Sequence, residues 1–355
     1  MISVRQAKAL VKKVVSSLEV ITVEVIDAQY HYLAEDVVSP VAIPLFSQSA
    51  MDGYAFRFED VNEALTIVDE IAAGDIREIV ALKKNEAVRI FTGSKVPKHC
   101  DTVVMQELTE LKEGKLFIKD KRLKKGGNIR VKGNQIKTGS VALKKGTAIN
   151  AGSVGFLATL GVLTVKVYQH PKIAIIATGS ELVAPGNQLQ EGQVYESNTI
   201  MLKAALHKKG IKPTIYKVED NKKATQQTIA KALEKNNLLI ISGGISVGKY
   251  DFVKVAIENN GVEEICYKVK QKPGKPLYFG TTGVNTVFAL PGNPAAALTC
   301  FYEYVALAIH CMIGNPQVDL TTIKLPIGKS YNKKTGRANF LKATTDFKTV
   351  VPFDG

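Results

Sequence analysis

Leu238-Leu239-Ile240-Ile241-Ser242-Gly243-Gly244-Ile245-Ser246-Val247-Gly248, with Asp251 three residues on, is the stretch that decides the fold. Its first four residues are an unbroken apolar run, the pattern of a strand buried on both faces. The run empties into glycines and hydroxyls and then leads into a helix, an arrangement that brings backbone N–H groups up against a phosphate. The spacing is neither the Gly-Lys-Ser/Thr ending of a P-loop nor a dinucleotide fingerprint. Taken alone, such a loop reads equally well as a tight turn.

Two further loops share the design. Ala177-Thr178-Gly179-Ser180-Glu181-Leu182 follows the strand-like Lys172-Ile173-Ala174-Ile175-Ile176, and Leu290-Pro291-Gly292-Asn293-Pro294 follows Thr286-Val287-Phe288-Ala289. Between them Asn198 is placed to cap a helix with Met201, Leu202, Ala205 and Leu206 on its apolar face, stopped at Gly210. Pro213 to Val218 reads as a strand and Ala224 to Lys235 as a helix bearing Ile229 and Leu233. Strand and helix alternating at this spacing predict an α/β domain with a mostly parallel sheet and helices on both faces. Ligands of such sheets bind outside the carboxyl ends of the strands, where all three loops fall. Convergence of three loops favours one shared anion site over three independent turns.

Nearby charges suit a phosphorylated ligand. Lys270, Lys272 and Lys275 lie in Lys270-Gln271-Lys272-Pro273-Gly274-Lys275-Pro276, where two prolines and a glycine stiffen the backbone. A stiff loop aims ammonium groups at fixed points, although a solvated basic turn has the same composition. Glu181, Asp220 and Asp251 supply carboxylates at or near strand ends, and magnesium is typically held by one or two carboxylates plus substrate phosphates. Each acid alone is equally an N-cap or a surface charge, Asp251 above all, since a helix would start there.

With 355 residues, 45% of them hydrophobic, the chain can bury a large core and should divide into two to four domains. A net charge of +14 favours anionic partners. The one dense basic block, Lys121 to Lys125, has no aromatic interleaving, and the chain has no Trp. Nucleic-acid binding is therefore not expected, and the block reads as a solvated hairpin. Cys100, Cys266, Cys300 and Cys311 have no metal-ligand spacing; with no signal peptide in evidence they read as buried reduced thiols of a cytoplasmic protein. Ser3 and Gln6 make a capping-box pattern ahead of Leu10, Val11, Val14, Val15 and Leu18 on one helical face. Ala295 to Ile313 is apolar but interrupted by Glu303 and His310, so a buried helix suits it better than a membrane span. The five His residues form no evident metal cluster or triad.

Residues 45–146 have another texture. Short runs such as Thr66 to Val68, Ala87 to Phe91, Thr102 to Met105 and Leu116 to Ile118 alternate with Gly- and Lys-rich turns, which predicts an all-β insertion. Gly152 to Gly161 then returns to a small helical segment. Within the insertion, Ser49-Ala50-Met51-Asp52-Gly53-Tyr54-Ala55 and Phe91-Thr92-Gly93-Ser94-Lys95-Val96-Pro97 read, on spacing alone, as turns.

In order along the chain stand Ser49 to Ala55, Thr92-Gly93 with Pro97, Asn128-Ile129-Arg130 with Gly133, Thr178 to Leu182, Ser242 to Gly248, Lys272 to Pro276 and Leu290 to Pro294. This series resembles the MoeA family of molybdopterin molybdotransferases, also represented by the E domain of gephyrin. The resemblance runs from about residue 3 to the end; MogA-type adenylyltransferases share only the sheet domain and lack the Asp52 and Thr92 motifs. It implies a multidomain α/β protein: an N-terminal helix over 1–25, a linking domain over 26–44 and 147–168, the β-rich insertion over 45–146, a three-layer MogA-like α/β domain over 169–316, and a C-terminal β domain over 317–355 that looks short for the family.

The activity implied is transfer of molybdenum from molybdate to adenylylated molybdopterin. The pyrophosphate bond is cleaved and AMP released with a divalent cation, magnesium. A homodimer is implied, with MogA-type adenylyltransferase and molybdoenzyme apoproteins as further partners. By position, Asp52, Thr92, Glu181, Asp220 and Asp251 match catalytic motif positions, with Asp251, Glu181 and Asp220 holding the cation. Thr178, Gly179, Ser180, Ser242, Gly243, Gly244, Ser246, Gly248, Lys272, Lys275, Pro291, Gly292, Pro294 and Arg130 match substrate-binding positions. The resemblance also has the ligand cleft completed by Asp52 and Thr92 of a neighbouring subunit. One departure stands out: Gln135 occupies the place of the family's usual acid in Arg130-Val131-Lys132-Gly133-Asn134-Gln135. Loss of that charge leaves a binding-only or scaffold role as the alternative.

Overall fold

The apolar runs become strands Ile173–Thr178, Leu238–Ser242 and Thr286–Leu290, every residue of which is buried. In the computed structural model, which describes residues 1–77, 81–218, 221–245, 252–332 and 336–353, the three lie side by side and parallel. Thr214–Val218 adds a parallel strand outside Ile173–Thr178. On the other edge Tyr278–Thr281 pairs antiparallel with Thr286–Leu290, and Glu263–Tyr267 antiparallel with it in turn. Only Tyr278–Thr281 therefore runs against the other five strands of this sheet.

Unbroken apolar strands need cover on both faces, and alternate residues receive it. Ile173, Ile175, Leu238, Ile240, Phe288 and Leu290 pack with Ala7, Val11, Leu202, Leu206, Phe301 and Tyr304. Ala174, Ile176, Leu239, Ile241, Val287 and Ala289 pack with Ile229, Ala232, Val253, Ala256 and Ile257. The result is a three-layer α/β arrangement with a mostly parallel sheet.

The helices begin where local chemistry directs. Val4–Val14 starts from a complete Ser3–Gln6 capping box. Lys222–Lys235 is capped by Asn221, whose side chain accepts from the Ala224 N–H at 3.0 Å. Asn198–His207 departs from expectation: Ser197 is the N-cap residue, and Asn198 lies inside the first turn with its side chain used elsewhere. The long helix is continuous from Pro294 to Met312, with a π turn at Phe301–Val305 inserted between two α segments. By length and composition it could cross a membrane. Its buried residues include Phe301, Tyr304, Val305, Ala308 and Ile309, which pack beneath the sheet as core.

These elements belong to one unit of the chain, made of Met1–Glu35, Lys145–Ala151 and Thr164–Gly355. The other unit comprises Asp36–Lys144 and Gly152–Leu163. There a four-stranded sheet orders Thr66–Ile71, Glu86–Ile90, Gly53–Phe56 and Thr102–Met105, parallel only in the first pair. One sheet face carries Ala55, Val88, Ile90 and Val103, the other Tyr54, Phe56, Ala87 and Val104. Gly53 leaves no room for a side chain, since a Cβ there would fall 1.8 Å from the Val104 carbonyl oxygen. Lys121 to Lys125 is exposed apart from Leu123, but it forms successive turns; the hairpin is the preceding pair Thr109–Lys112 and Lys115–Ile118. Of the four free thiols, Cys100, Cys266 and Cys300 are buried, whereas Cys311 is half-buried.

Candidate functional site

At the carboxyl ends of the three central strands opens a cleft of about 950 Å³, within the range of small-molecule sites. Thr178 and Gly179, Ser242 to Ile245, and Pro291 to Pro294 all line it. The chain runs from Ile173–Thr178 to Thr214–Val218 on one side and next to Leu238–Ser242 on the other. The sheet order thus reverses at Thr178 and Ser242, the place where such sheets leave a crevice.

The loops are tied to one another by short-range bonds. Thr178 Oγ1 donates to the Ser242 carbonyl at 3.4 Å, and the Gly243 N–H to the Leu290 carbonyl at 3.2 Å. Gly243 and Gly244 have φ of +95° and +62°. A Cβ would lie 2.7 Å from the Thr178 carbonyl oxygen at Gly243 and 2.4 Å from Val253 Cγ2 at Gly244. Conformation and space both demand glycine there. Asn198 completes the frame: its Nδ2 donates to Ser242 Oγ at 2.8 Å and to the Gly292 carbonyl at 2.9 Å. The helix start it was expected to cap is served by Glu196, which accepts from the Thr199 N–H at 2.7 Å. Asn198 therefore fastens two of the cleft-lining loops together.

Lys272 and Lys275 line the cleft with exposed side chains, and neither is ion-paired among the described residues. Arg337 joins them. It stands just before Ala338–Asn339, which pairs in parallel with Gln271–Lys272, so the sheet register brings a distant residue to the loop. On the opposite charge side the cleft has Glu181 and Glu196. Leu182, Val194 and Tyr195 give it an apolar and aromatic wall, built on the parallel pair Leu182–Val183 and Val194–Tyr195. A cleft with three cations, backbone turns at strand ends and an apolar wall suits a ligand with phosphates and a ring.

Beneath Lys272 to Lys275 the chain is buried and bonded. Tyr304 donates its hydroxyl to Gln271 Oε1, and Gln271 Nε2 donates to the Pro273 carbonyl at 3.1 Å. Burial pushes the Cys300 thiol up to about 12, so it stays protonated and its Sγ donates to the Gly274 carbonyl at 3.6 Å.

In the other unit, Asp52 and Thr92, forty positions apart, meet: Asp52 Oδ1 accepts from the Thr92 N–H at 2.7 Å and from Thr92 Oγ1 at 2.8 Å. The backbone bond first, then the hydroxyl, hold the Asp52 carboxyl below its ordinary value. Arg130 also lies in this unit, on the short strand Ile129–Arg130.

Of the residues expected at the site, Thr178, Gly179, Glu181, Ser242, Gly243, Gly244, Lys272, Lys275, Pro291, Gly292 and Pro294 line the one cleft, with Ser180 in the same turn as Gly179. Asp220, Ser246, Gly248 and Asp251 lie outside the described residues. Among the described residues no group of three metal-ligating side chains occurs. Asn198, Gln271 and Arg337 were missed. An Asn at a helix start resembles a cap, and nothing local to Arg337 or Gln271 reveals the register that brings them in.

Residues 2–161 match the family described as the MoeA N-terminal region (domain I and II), and residues 174–310 the one described as a probable molybdopterin binding domain. A molybdopterin molybdenumtransferase of Staphylococcus epidermidis is 34% identical across 99% of this chain and 86% of its own length. One from a Nostoc species is 37% identical across 86% and 72%. The crystal structure of a molybdopterin biosynthesis moeA protein from Pyrococcus horikoshii superposes with a TM-score of 0.83 at 28% identity, covering 99% of this chain and 89% of that one.

Proposed function

This chain belongs to the MoeA family of molybdopterin molybdenumtransferases, enzymes of molybdenum cofactor biosynthesis, and on that premise we propose that its cleft takes adenylylated molybdopterin, receives molybdate and releases AMP. The observation that carries this reading is the convergence of three glycine-bearing strand ends with Lys272, Lys275 and Arg337 around one cleft.

Each group has a task that follows from its chemistry. The turns at Gly179, Gly243 and Gly244 let backbone approach the ligand's phosphates without side-chain obstruction. Lys272, Lys275 and Arg337 hold the pyrophosphate and offset the charge that grows on the departing phosphate, an electrostatic contribution made before reaction begins. Arg337 offers a planar fork for two phosphate oxygens, whereas each lysine acts as a point charge. Leu182, Val194 and Tyr195 flank the ring.

A divalent cation fits this donor set. Magnesium needs few protein carboxylates when phosphates supply the remaining oxygens, and Glu181 is the carboxylate at the mouth of the Gly179 turn. Asp251 and Asp220 are proposed to join it. Bound there, the cation would polarise the phosphoryl oxygens. The Asp52–Thr92 pair is proposed to serve the same reaction, its carboxylate kept ionised by the two Thr92 bonds. A homodimer, a cytoplasmic location and exchange with MogA-type and apoenzyme partners belong to the same proposal.

The test is AMP release from adenylylated molybdopterin by the purified chain, with magnesium, with and without molybdate. Molybdate-dependent release is expected. Tight binding without release would instead support the binding-only role, and Gln135→Asp would then be the variant to restore turnover.

A further inference from the structure

Lys272 and Lys275 are exposed on their loop, and an anion clamp works only if its charges are aimed. Three fully buried side chains lie under that loop: Gln271, Cys300 and Tyr304. Tyr304 and Cys300 come from the long helix, at and just before the turn where it departs from α to π geometry. Such π turns recur at functional places in helices. The Gln271 amide is used on both sides. Its oxygen accepts from the Tyr304 hydroxyl; its nitrogen donates to the Pro273 carbonyl at 3.1 Å and contacts Cys300 Sγ at 3.5 Å. Cys300 in turn donates to the Gly274 carbonyl. Consecutive carbonyls of the loop, Pro273 and Gly274, are thus each held from below by a buried donor.

Gly274 shows how closely the loop is seated. Its φ is +85°, and a Cβ would lie 2.6 Å from Cys300 Sγ and 2.8 Å from Gln271 Nε2. The next strand pair extends the same anchor, since the Phe340 N–H donates to the Lys272 carbonyl at 2.8 Å. Apolar residues of the same size would fill this space equally well. A polar chain that is fully buried and bonded specifies one conformation, because each alternative strands a donor or acceptor away from water.

We propose that Tyr304 and Gln271 are positioning residues of the transferase, fixing the Lys272–Lys275 loop so that both ammonium groups meet the ligand's pyrophosphate at once. The inference rests on the reading of this cleft as the phosphate site. Neither residue touches the ligand; both act through the loop. Tyr304→Phe leaves the Gln271 amide oxygen buried without a donor, and the loop gains conformations in which only one lysine reaches the anion.

The test is calorimetric titration of the full chain with inorganic pyrophosphate, alongside urea unfolding. Wild type should bind, and Tyr304→Phe should bind about tenfold more weakly. The informative variant is Gln271→Met/Tyr304→Phe, which removes both members of the fully buried Tyr304–Gln271 bond and leaves only the part-buried Pro273 carbonyl without its donor. It should recover most of the unfolding midpoint but not the affinity, because the loop still lacks its anchor. In a Lys272→Ala background, where the clamp is already reduced to Lys275, the effect of Tyr304→Phe should shrink to below about threefold. Equal affinity of wild type and Tyr304→Phe overturns the proposal. So does recovery of stability and affinity together in the double variant, or full additivity with Lys272→Ala. Failure of the wild type itself to bind pyrophosphate would overturn the reading of the cleft, a distinct result.

Discussion

Replacing Gly274 by alanine tests how much of the anion affinity proposed for the cleft depends on one backbone conformation. Two penalties apply at the same atom. The left-handed conformation at φ +85° costs an L-residue about 1–2 kcal/mol. The new methyl would lie 2.6 Å from Cys300 Sγ and 2.8 Å from Gln271 Nε2, and overpacking of a filled core costs about 1–3 kcal/mol. Together they reach about 2–5 kcal/mol. Total stabilities run to about 5–15 kcal/mol, so the chain should still fold. The loop itself has other conformations open to it, and those relieve both penalties. Even the low end reduces the ligand-competent fraction enough to weaken pyrophosphate binding at least tenfold. Titration calorimetry with pyrophosphate reads this directly, and Cys300→Ala provides the internal control by removing the nearest clashing atom. Gly274→Ala/Cys300→Ala should regain part of the affinity, the conformational cost remaining. If Gly274→Ala binds within twofold of wild type, or Cys300→Ala recovers nothing, the argument that the loop is seated on Cys300 is wrong.

Other consequences are equally open to measurement. Gly53→Ala places a methyl 1.8 Å from the Val104 carbonyl oxygen inside a paired strand, and a urea unfolding midpoint lowered by about 1–3 kcal/mol equivalent is expected. Asn198→Ala removes both donors that join Ser242 Oγ to the Gly292 carbonyl; a loss of about 1–3 kcal/mol in stability together with slower AMP release is expected, and unchanged turnover would deny Asn198 its framing role. The Asp52 carboxyl titrates below its ordinary 3.8 because Thr92 bonds favour the ionised form, so the stabilisation it gains is full above that ordinary value and is lost as pH falls through the lowered folded one. Thr92→Val keeps the backbone bond but removes the hydroxyl, and a carbon-13 titration of the Asp52 carboxyl should show its midpoint rising part of the way back.

The sheet was legible because its strands announce themselves. Leu238 to Ile241 and Ile173 to Ile176 are unbroken apolar runs, and an unbroken run has no solvent face to offer. The loops after them were legible for a related reason: glycines at φ +95° and +62° can be recognised as residues that no other type replaces. The helix capping of Val4–Val14 is local and was equally readable. Misreadings fell where a local signal was overridden by a distant partner. Asn198 carries the mark of an N-cap, yet Ser242 and Gly292 compete for its amide and win, while Glu196 takes over the helix start. The basic block at Lys121 to Lys125 was read as a hairpin although the preceding residues form it.

By itself, then, the sequence determined the α/β class, the buried strands, the glycine turns at their ends, the ordered motifs of the family, and the identity of two lysines that line the cleft. Each of these is encoded within a stretch short enough for periodicity and steric limits to act on it. Only the tertiary structure decided which loops share a cleft, because strand order and parallel register are set by packing between distant segments. Register carries Arg337 to the cleft that Lys272 also lines, and a buried helix turn puts Tyr304 beneath the loop that bears Lys272. Such neighbours are joined through space by hydrogen bonds and packing, interactions that leave no period along the chain.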